Sequence, residues 1–159
     1  MSCQPMANDA LRPGDAVEQT FRVRLDPLPR LVATARQFVG SHAPPLPGET
    51  RDALLLLTSE LVTNAVLHAQ TPLEVGITVT EASVLVTVHD LDLTGPQQQP
   101  YEPREGGWGL GLVAALAEAS ALERHPDGGK TAWFRLPRGQ TSYVRDGAAT
   151  RREPLRGSH

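Results

Sequence analysis

The sequence predicts an α+β fold, a two-layer sandwich in which a mixed, mostly antiparallel sheet carries helices on one face. Three observations lead there. The chain has 159 residues with an ordinary apolar share, enough for one buried core. Its periodic segments read in the order strand, helix, helix, hairpin, loop, helix, hairpin, which segregates helices from a sheet built largely of neighbouring strands. One long segment, about residues 49–69, is apolar on nearly every side, as expected of a helix at the centre of a layer.

Taken in order, residues 1–19 read as a flexible leader, polar and broken by Pro5, Pro13 and Gly14. Phe21-Arg-Val-Arg-Leu25 alternates apolar and charged side chains, the period of a half-buried strand. Leu28, Leu31, Val32, Ala35 and Val39 recur at helical spacing, with Pro29 acceptable in the first turn. Residues 40–50 are a loop by their proline and glycine content. After the long helix, Leu73–Thr80 and Ser83–Asp90 are strand-like and close enough to form an antiparallel hairpin. Residues 91–107 have no period, and a loop of that length inside a compact domain is read as a lid, a binding loop or disorder. Leu110–Ala119 reads as a helix opened by glycines, and Ala121–His125 and Thr131–Leu136 as closing strands around a turn at 126–129. The domain thus spans 20–137, followed by an unstructured basic tail over 138–159.

Composition removes several classes. Purely apolar runs such as Ala53–Leu57 are far short of the ~20 residues of a membrane helix, and the N-terminus lacks the layout of a secretory signal. Cys3 is the only cysteine, so no intrachain disulfide or zinc ribbon forms, and a reducing cytoplasm is the expected location. Charge is divided unevenly. Residues 138–159 hold five arginines (138, 145, 151, 152 and 156) against Asp146 and Glu153, a net +3; the other 137 residues hold ten basic and sixteen acidic groups, a net −6. A body that acidic is ill suited to grip a phosphate backbone, so direct nucleic-acid binding is not expected. The five histidines are scattered and no Ser-His-Asp order stands out, which leaves a stand-alone hydrolase little support.

Three features carry chemistry. Glu60, Asn64 and His68 interrupt the apolar helix at four-residue spacing and form one row along it. That row is either the solvent stripe of a packed helix or the polar lip of a site, since a Glu and an Asn on an apolar helix need partners; His68 by itself reads as a polar helix end. Gly106, Gly107, Gly109 and Gly111 run into a helix start, where converging backbone N–H groups and the positive dipole end suit a phosphate; hinges use glycine too. No Lys-Ser/Thr follows, so this is no Walker loop, and no strand precedes it as in a dinucleotide fingerprint. Asp90 closes a strand, where its carboxylate either accepts from an exocyclic amine such as adenine's or simply starts a loop. Thr131, in Gly129-Lys130-Thr131, either supports the same base or is an ordinary β-branched strand residue.

The order of these features resembles the gyrase, heat-shock chaperone and histidine-kinase ATPase superfamily, the Bergerat fold. Within it the chain is most similar to small single-domain anti-sigma-factor serine kinases of the actinobacterial type. Leu57-Thr-Ser-Glu-Leu-Val-Thr-Asn-Ala-Val-Leu-His-Ala69 resembles their N box, Val88-His-Asp90 the start of the first glycine box, Gly107–Val113 the second, and Gly128–Phe134 the final strand. The likeness covers about residues 21–137.

The resemblance implies ATP and Mg²⁺ as cofactors. Asn64 would present its amide oxygen to the metal and Glu60 would act as the catalytic base. Asp90 would read the adenine amino group with Thr131 nearby, and Gly107, Gly109, Leu110 and Gly111 would lie along the phosphates. It also implies protein partners, an anti-sigma-factor antagonist as phosphoacceptor and a sigma factor as target, with a homodimer as a compatible assembly. The alternative is a binding module of the same fold that acts by contact without phosphotransfer. Asp90-Leu-Asp92-Leu-Thr94 lacks the glycines of the family's first glycine box, and Trp108 stands where many relatives carry arginine.

Overall fold

The computed structural model describes residues 10–68, 71–90, 108–126 and 128–139; the side chains of 108–110 are not among them. Eight elements follow one another: β1 (Val17–Leu25), α1 (Leu31–His42), α2 (Gly48–His68), β2 (Leu73–Thr80), β3 (Ser83–Asp90), α3 (Trp108–Leu116), β4 (Ala119–Arg124) and β5 (Lys130–Pro137). The strands form one sheet in the order β1-β2-β3-β5-β4, and all four pairings are antiparallel. The α+β sandwich is therefore as expected, but the sheet has no parallel member. Two helices lie between β1 and β2, so the chain has reversed when it re-enters the sheet. β3 and β4 do point the same way, being joined through a single helix, but β5 inserts between them.

The helices cover one face. On α2 the buried residues are Leu54, Leu57, Thr58, Leu61, Val62 and Ala65, a single stripe at i, i+3, i+4 spacing. The stripe packs on Val84, Val86 and Val88 of β3 and Phe134 and Leu136 of β5, with Val75 and Ile77 of β2 alongside. Strand alternation sends the intervening residues to the opposite face, where Leu85 and Trp133 form a second small cluster with Ala10, Leu11 and Ala119.

That outer cluster corrects the expected leader. Ala10 is 1% exposed, and its carbonyl accepts from Nη1 of the buried Arg135 at 2.7 Å. Arg135 Nε donates to Glu118 at 3.1 Å, and Arg12 pairs with the same carboxylate. Residues 10–12 are thus strapped to the sheet, and β1 starts four residues before Phe21. Alternation alone misses this, because Val17–Thr20 is solvent-exposed throughout and its reason to be a strand is pairing with β2. At the other end, Arg138 is anchored too, its amide donating to Ala82 O at 2.9 Å and its guanidinium to Glu18 and Thr80 O. The rest of the basic tail lies outside the described residues.

Two helix boundaries also shift. α1 continues through Gly40 to His42, into the expected loop, because Gly40 is the point where α1 meets α2: a Cβ there would come within 3.1 Å of Leu55 Cδ2. α3 stops at Leu116 rather than Ala119, since Glu118 N already donates to Arg135 O at 2.9 Å and Ala119 pairs with Arg135.

The entry to β5 is the tightest junction. Gly129 has φ +81°, and a Cβ on it would lie 2.6 Å from the carbonyl oxygen of Asp90. Gly129→Ala therefore combines left-handed strain with a backbone clash and is expected to cost about 1–3 kcal/mol. Gly48→Ala, where a Cβ meets nothing within 4 Å, is expected to stay within about 0.5 kcal/mol. Urea unfolding of the two variants checks this; equal losses would contradict the crowded β3–β5 junction.

Candidate functional site

Chain direction decides which ends meet. β2 begins at Leu73, directly opposite Asp90 at the end of β3, so the C-terminus of α2, four residues before β2, lies at the Asp90 end of the sandwich. β4 pairs Ala119 with Arg135 and Arg124 with Lys130, and Lys130 lies opposite Asp90. α3 leads into β4 at Ala119, so its C-terminus sits at the far end and its glycine-bearing N-terminus at the Asp90 end. Three elements converge there: the last turns of α2, the last residue of β3 and the first turn of α3.

The row on α2 faces this convergence. One flank of the buried stripe carries Leu55, packed at Gly40, and Ser59, which accepts from Arg36 Nη1 at 3.4 Å; that flank belongs to α1. Glu60 and Asn64 occupy the opposite flank, the side on which α3 packs. Leu61 and Val113 line a common apolar hollow of about 180 Å³ with Ser120, Ala121, Leu122 and Trp133. α2 and α3 run in opposite directions, so Asn64, three residues beyond Leu61, is level with Leu110, three before Val113. Glu60 and Asn64 are half-buried, and neither side chain has a hydrogen-bond partner among the described residues. A polar row turned toward a neighbouring helix yet unpartnered is the surface a ligand completes. His68, one turn on, is exposed.

α3 opens at Trp108, and its first N–H groups have no intrahelical acceptors. Its first turn has no acidic residue. Gly109 lies within that turn; Gly111 is exposed, and a Cβ there would meet nothing within 4 Å, so the helix start presents bare backbone. This suits an anion. An amide oxygen at Asn64 is a hard donor of the kind Mg²⁺ takes alongside phosphate oxygens, so the donor set fits a metal-bound polyphosphate. Gly107 lies outside the described residues, as do Asp92, Thr94 and the whole of 91–107.

Asp90 is 2% exposed. It shares strand parity with Val84, Val86 and Val88 and so lies on the helix-covered face. Lys130 Nζ approaches its Oδ2 to 3.6 Å. Thr131, expected beside Asp90, is on the other face. Its Oγ1 lies 2.9 Å from His89 Nδ1 and 2.7 Å from His125 Nε2, with the two imidazole rings 5.3 Å apart. The reason is the two-residue strand period: position 130, directly opposite Asp90, shares its face, and position 131 cannot. Lys130 is thus a member of this end of the sheet that the sequence motifs do not mark. The available signal was that it is the single lysine beside fourteen arginines, placed at the mouth of the last strand.

The geometry joins a carboxylate and an amide with no hydrogen-bond partner among the described residues, a glycine-bearing helix N-terminus and a buried carboxylate at one end of an α+β sandwich. Comparison with known proteins bears on the family and the fold. Residues 25–136 match the histidine kinase-like ATPase domain. Among solved structures, the chain is similar to the crystal structure of the RsbU and RsbW domains of Rv1364c from Mycobacterium tuberculosis. The TM-score is 0.51 at 21% identity, over 74% of this chain and 32% of that one. The likeness at that identity is one of fold, and the chain spans about a third of that protein's length. Comparison with curated proteins finds no significant match. No helix among the described residues is long and apolar enough to cross a membrane. With the family match running from Leu25 to Leu136, from the end of β1 through all three helices and β2 to β5, this chain belongs to the histidine kinase-like ATPase domain family, a family of ATP-binding domains.

Proposed function

We propose that the protein is a Mg–ATP-dependent serine/threonine kinase that phosphorylates an anti-sigma-factor antagonist and, when released, holds a sigma factor inactive in the cytoplasm. The observation that carries this reading is the convergence of Glu60, Asn64, Asp90 and the α3 N-terminus at one end of a histidine kinase-like ATPase domain. Support for the partners comes from the likeness of residues 57–69 to the N box of anti-sigma serine kinases, together with the fold shared with RsbW-containing Rv1364c.

In this reading each residue has one task. Asp90 accepts a hydrogen bond from the adenine amino group. The backbone at Gly107, Gly109, Leu110 and Gly111 donates to phosphate oxygens, where the helix dipole favours negative charge. Asn64 holds the metal through its amide oxygen. Bound Mg–ATP supplies the γ-phosphoryl group, whose bond to the β-phosphate oxygen breaks as a bond to the acceptor serine oxygen forms. Glu60, one helical turn from Asn64, orients that hydroxyl and takes its proton. The phosphoserine so formed carries a charge near −2, which dissociates the antagonist and frees the domain for sigma. A second reading, a contact-only module, is favoured by Asp92 and Thr94 standing where the family has glycines; Asp92 adds charge that opposes a polyanion.

Calorimetry with Mg–ATP, paired with a phosphotransfer assay on the antagonist, tests both readings. Glu60→Gln is expected to bind Mg–ATP within about twofold of wild type while transfer falls at least about 100-fold. Undiminished transfer would remove Glu60 from the mechanism, and a wild-type protein that binds no Mg–ATP would establish the contact-only module. Asp90→Asn is expected to weaken ATP binding by about tenfold or more, whereas Thr131→Val, on the opposite face, leaves it within about twofold. A tenfold loss in Thr131→Val would contradict the placement of the base.

A further inference from the structure

We propose that Lys130 is the second reader of the base: it donates a hydrogen bond to N1 of adenine while Asp90 accepts from the neighbouring amino group, so that the ion pair as a whole recognises the Watson–Crick edge. This rests on the adenine reading of Asp90 above and adds to it a specificity-determining residue.

Three observations carry it. Asp90 and Lys130 are directly opposed on adjacent antiparallel strands and share the helix-covered face. Nζ lies 3.6 Å from Oδ2, which leaves the two heads side by side. Their burial is graded: the Asp90 side chain is 2% exposed and that of Lys130 27%, so the carboxylate is the deep group and the ammonium the one nearer the mouth. An ammonium has three donors and no acceptor, and an ionised carboxylate accepts only, with about four lone-pair sites. Lys130 therefore keeps donors for a ligand without breaking the pair, and Asp90, whose interactions are not limited to Lys130, is an acceptor at more than one lone pair. The edge they present is acceptor then donor, read from inside outward.

Adenine offers the complement, a donor at the amino group next to an acceptor at N1. Guanine in the same pose offers the reverse, an acceptor at O6 next to a donor at N1. It would place O6 against the carboxylate and an N–H against the ammonium, leaving both heads badly matched. The pair is also near neutral overall, so a neutral base would meet two charges that already compensate one another; a lone buried carboxylate would have no such offset.

The test uses the full chain and four probes: Mg–ATP, its 1-deaza analogue (which keeps the amino group but replaces N1 with C–H), Mg–GTP and inorganic triphosphate. Wild type is expected to bind 1-deaza-ATP about tenfold more weakly than ATP, GTP at least about 100-fold more weakly, and triphosphate most weakly of all. Lys130→Met is expected to lose about tenfold toward ATP and to treat ATP and 1-deaza-ATP alike, while Lys130→Arg, which keeps a donor, restores most of the discrimination. Equal binding of ATP and 1-deaza-ATP by wild type would overturn the role of Lys130 while leaving the ATP site in place, and so would GTP binding as tight as ATP. Failure of wild type to bind ATP at all would instead remove the adenine reading with it. The analogue comparison on wild type decides the matter even if Lys130→Met is too unstable to assay.

Discussion

Burial of one stripe of α2 against the sheet is the constraint from which the rest of the molecule follows. Leu54, Leu57, Leu61 and Val62 are each 2% exposed or less, and full burial of such side chains contributes roughly 1.5–3 kcal/mol apiece. Fixing that stripe fixes the rotation of the helix, and rotation decides what the flanks face. One flank becomes the seat of α1. The other, with Glu60 and Asn64, becomes the wall beside α3. A polar row that in isolation has no address acquires one because the opposite side of the same helix is anchored in the core.

Chain reversal supplies the remaining coordinate. Every pairing in the sheet is antiparallel, and each helix joins opposite ends of the sandwich. The C-terminal turns of α2, the end of β3 and the start of α3 are therefore collected at one end without any of them being neighbours in sequence. Lys130, at the head of β5, is added by the same logic. The two faces of the sheet then separate two kinds of polar chemistry. The inner face has an ion pair with a buried carboxylate, and Glu60 and Asn64, which have no hydrogen-bond partner among the described residues. On the outer face, His89, His125 and Thr131 satisfy one another, as do Arg135, Glu118 and the Ala10 carbonyl, so those groups work as structure.

What was legible in the sequence was whatever rests on local periodicity. The long helix, the Leu73–Asp90 hairpin and the glycines at a helix start all declare themselves, and together they point to the fold class and to most of the candidate site. Alternation is equally present in the last strand: counting in twos from Phe134 and Leu136, both core residues, puts Lys130 inside and Thr131 outside. Other misses have a different origin. Residues 10–12 are polar and lack a period, and only Trp133 and Arg135, more than 120 positions away, give them a place. Gly40 reads as a loop residue until α2 is set against it, when its missing side chain becomes the reason that two helices can touch.

The account stands on a nucleotide occupying the end of the sandwich between α2, α3 and the β3–β5 junction. The most direct measurement is the map of backbone amide chemical shifts in the isotopically labelled full chain as Mg–ATP is added. Occupancy of that end moves the amides of residues 60, 64, 90, 109–111 and 130 together, saturating on one binding curve. Shifts confined to residues 89, 125 and 131 on the outer face, with the inner set unmoved, would contradict it.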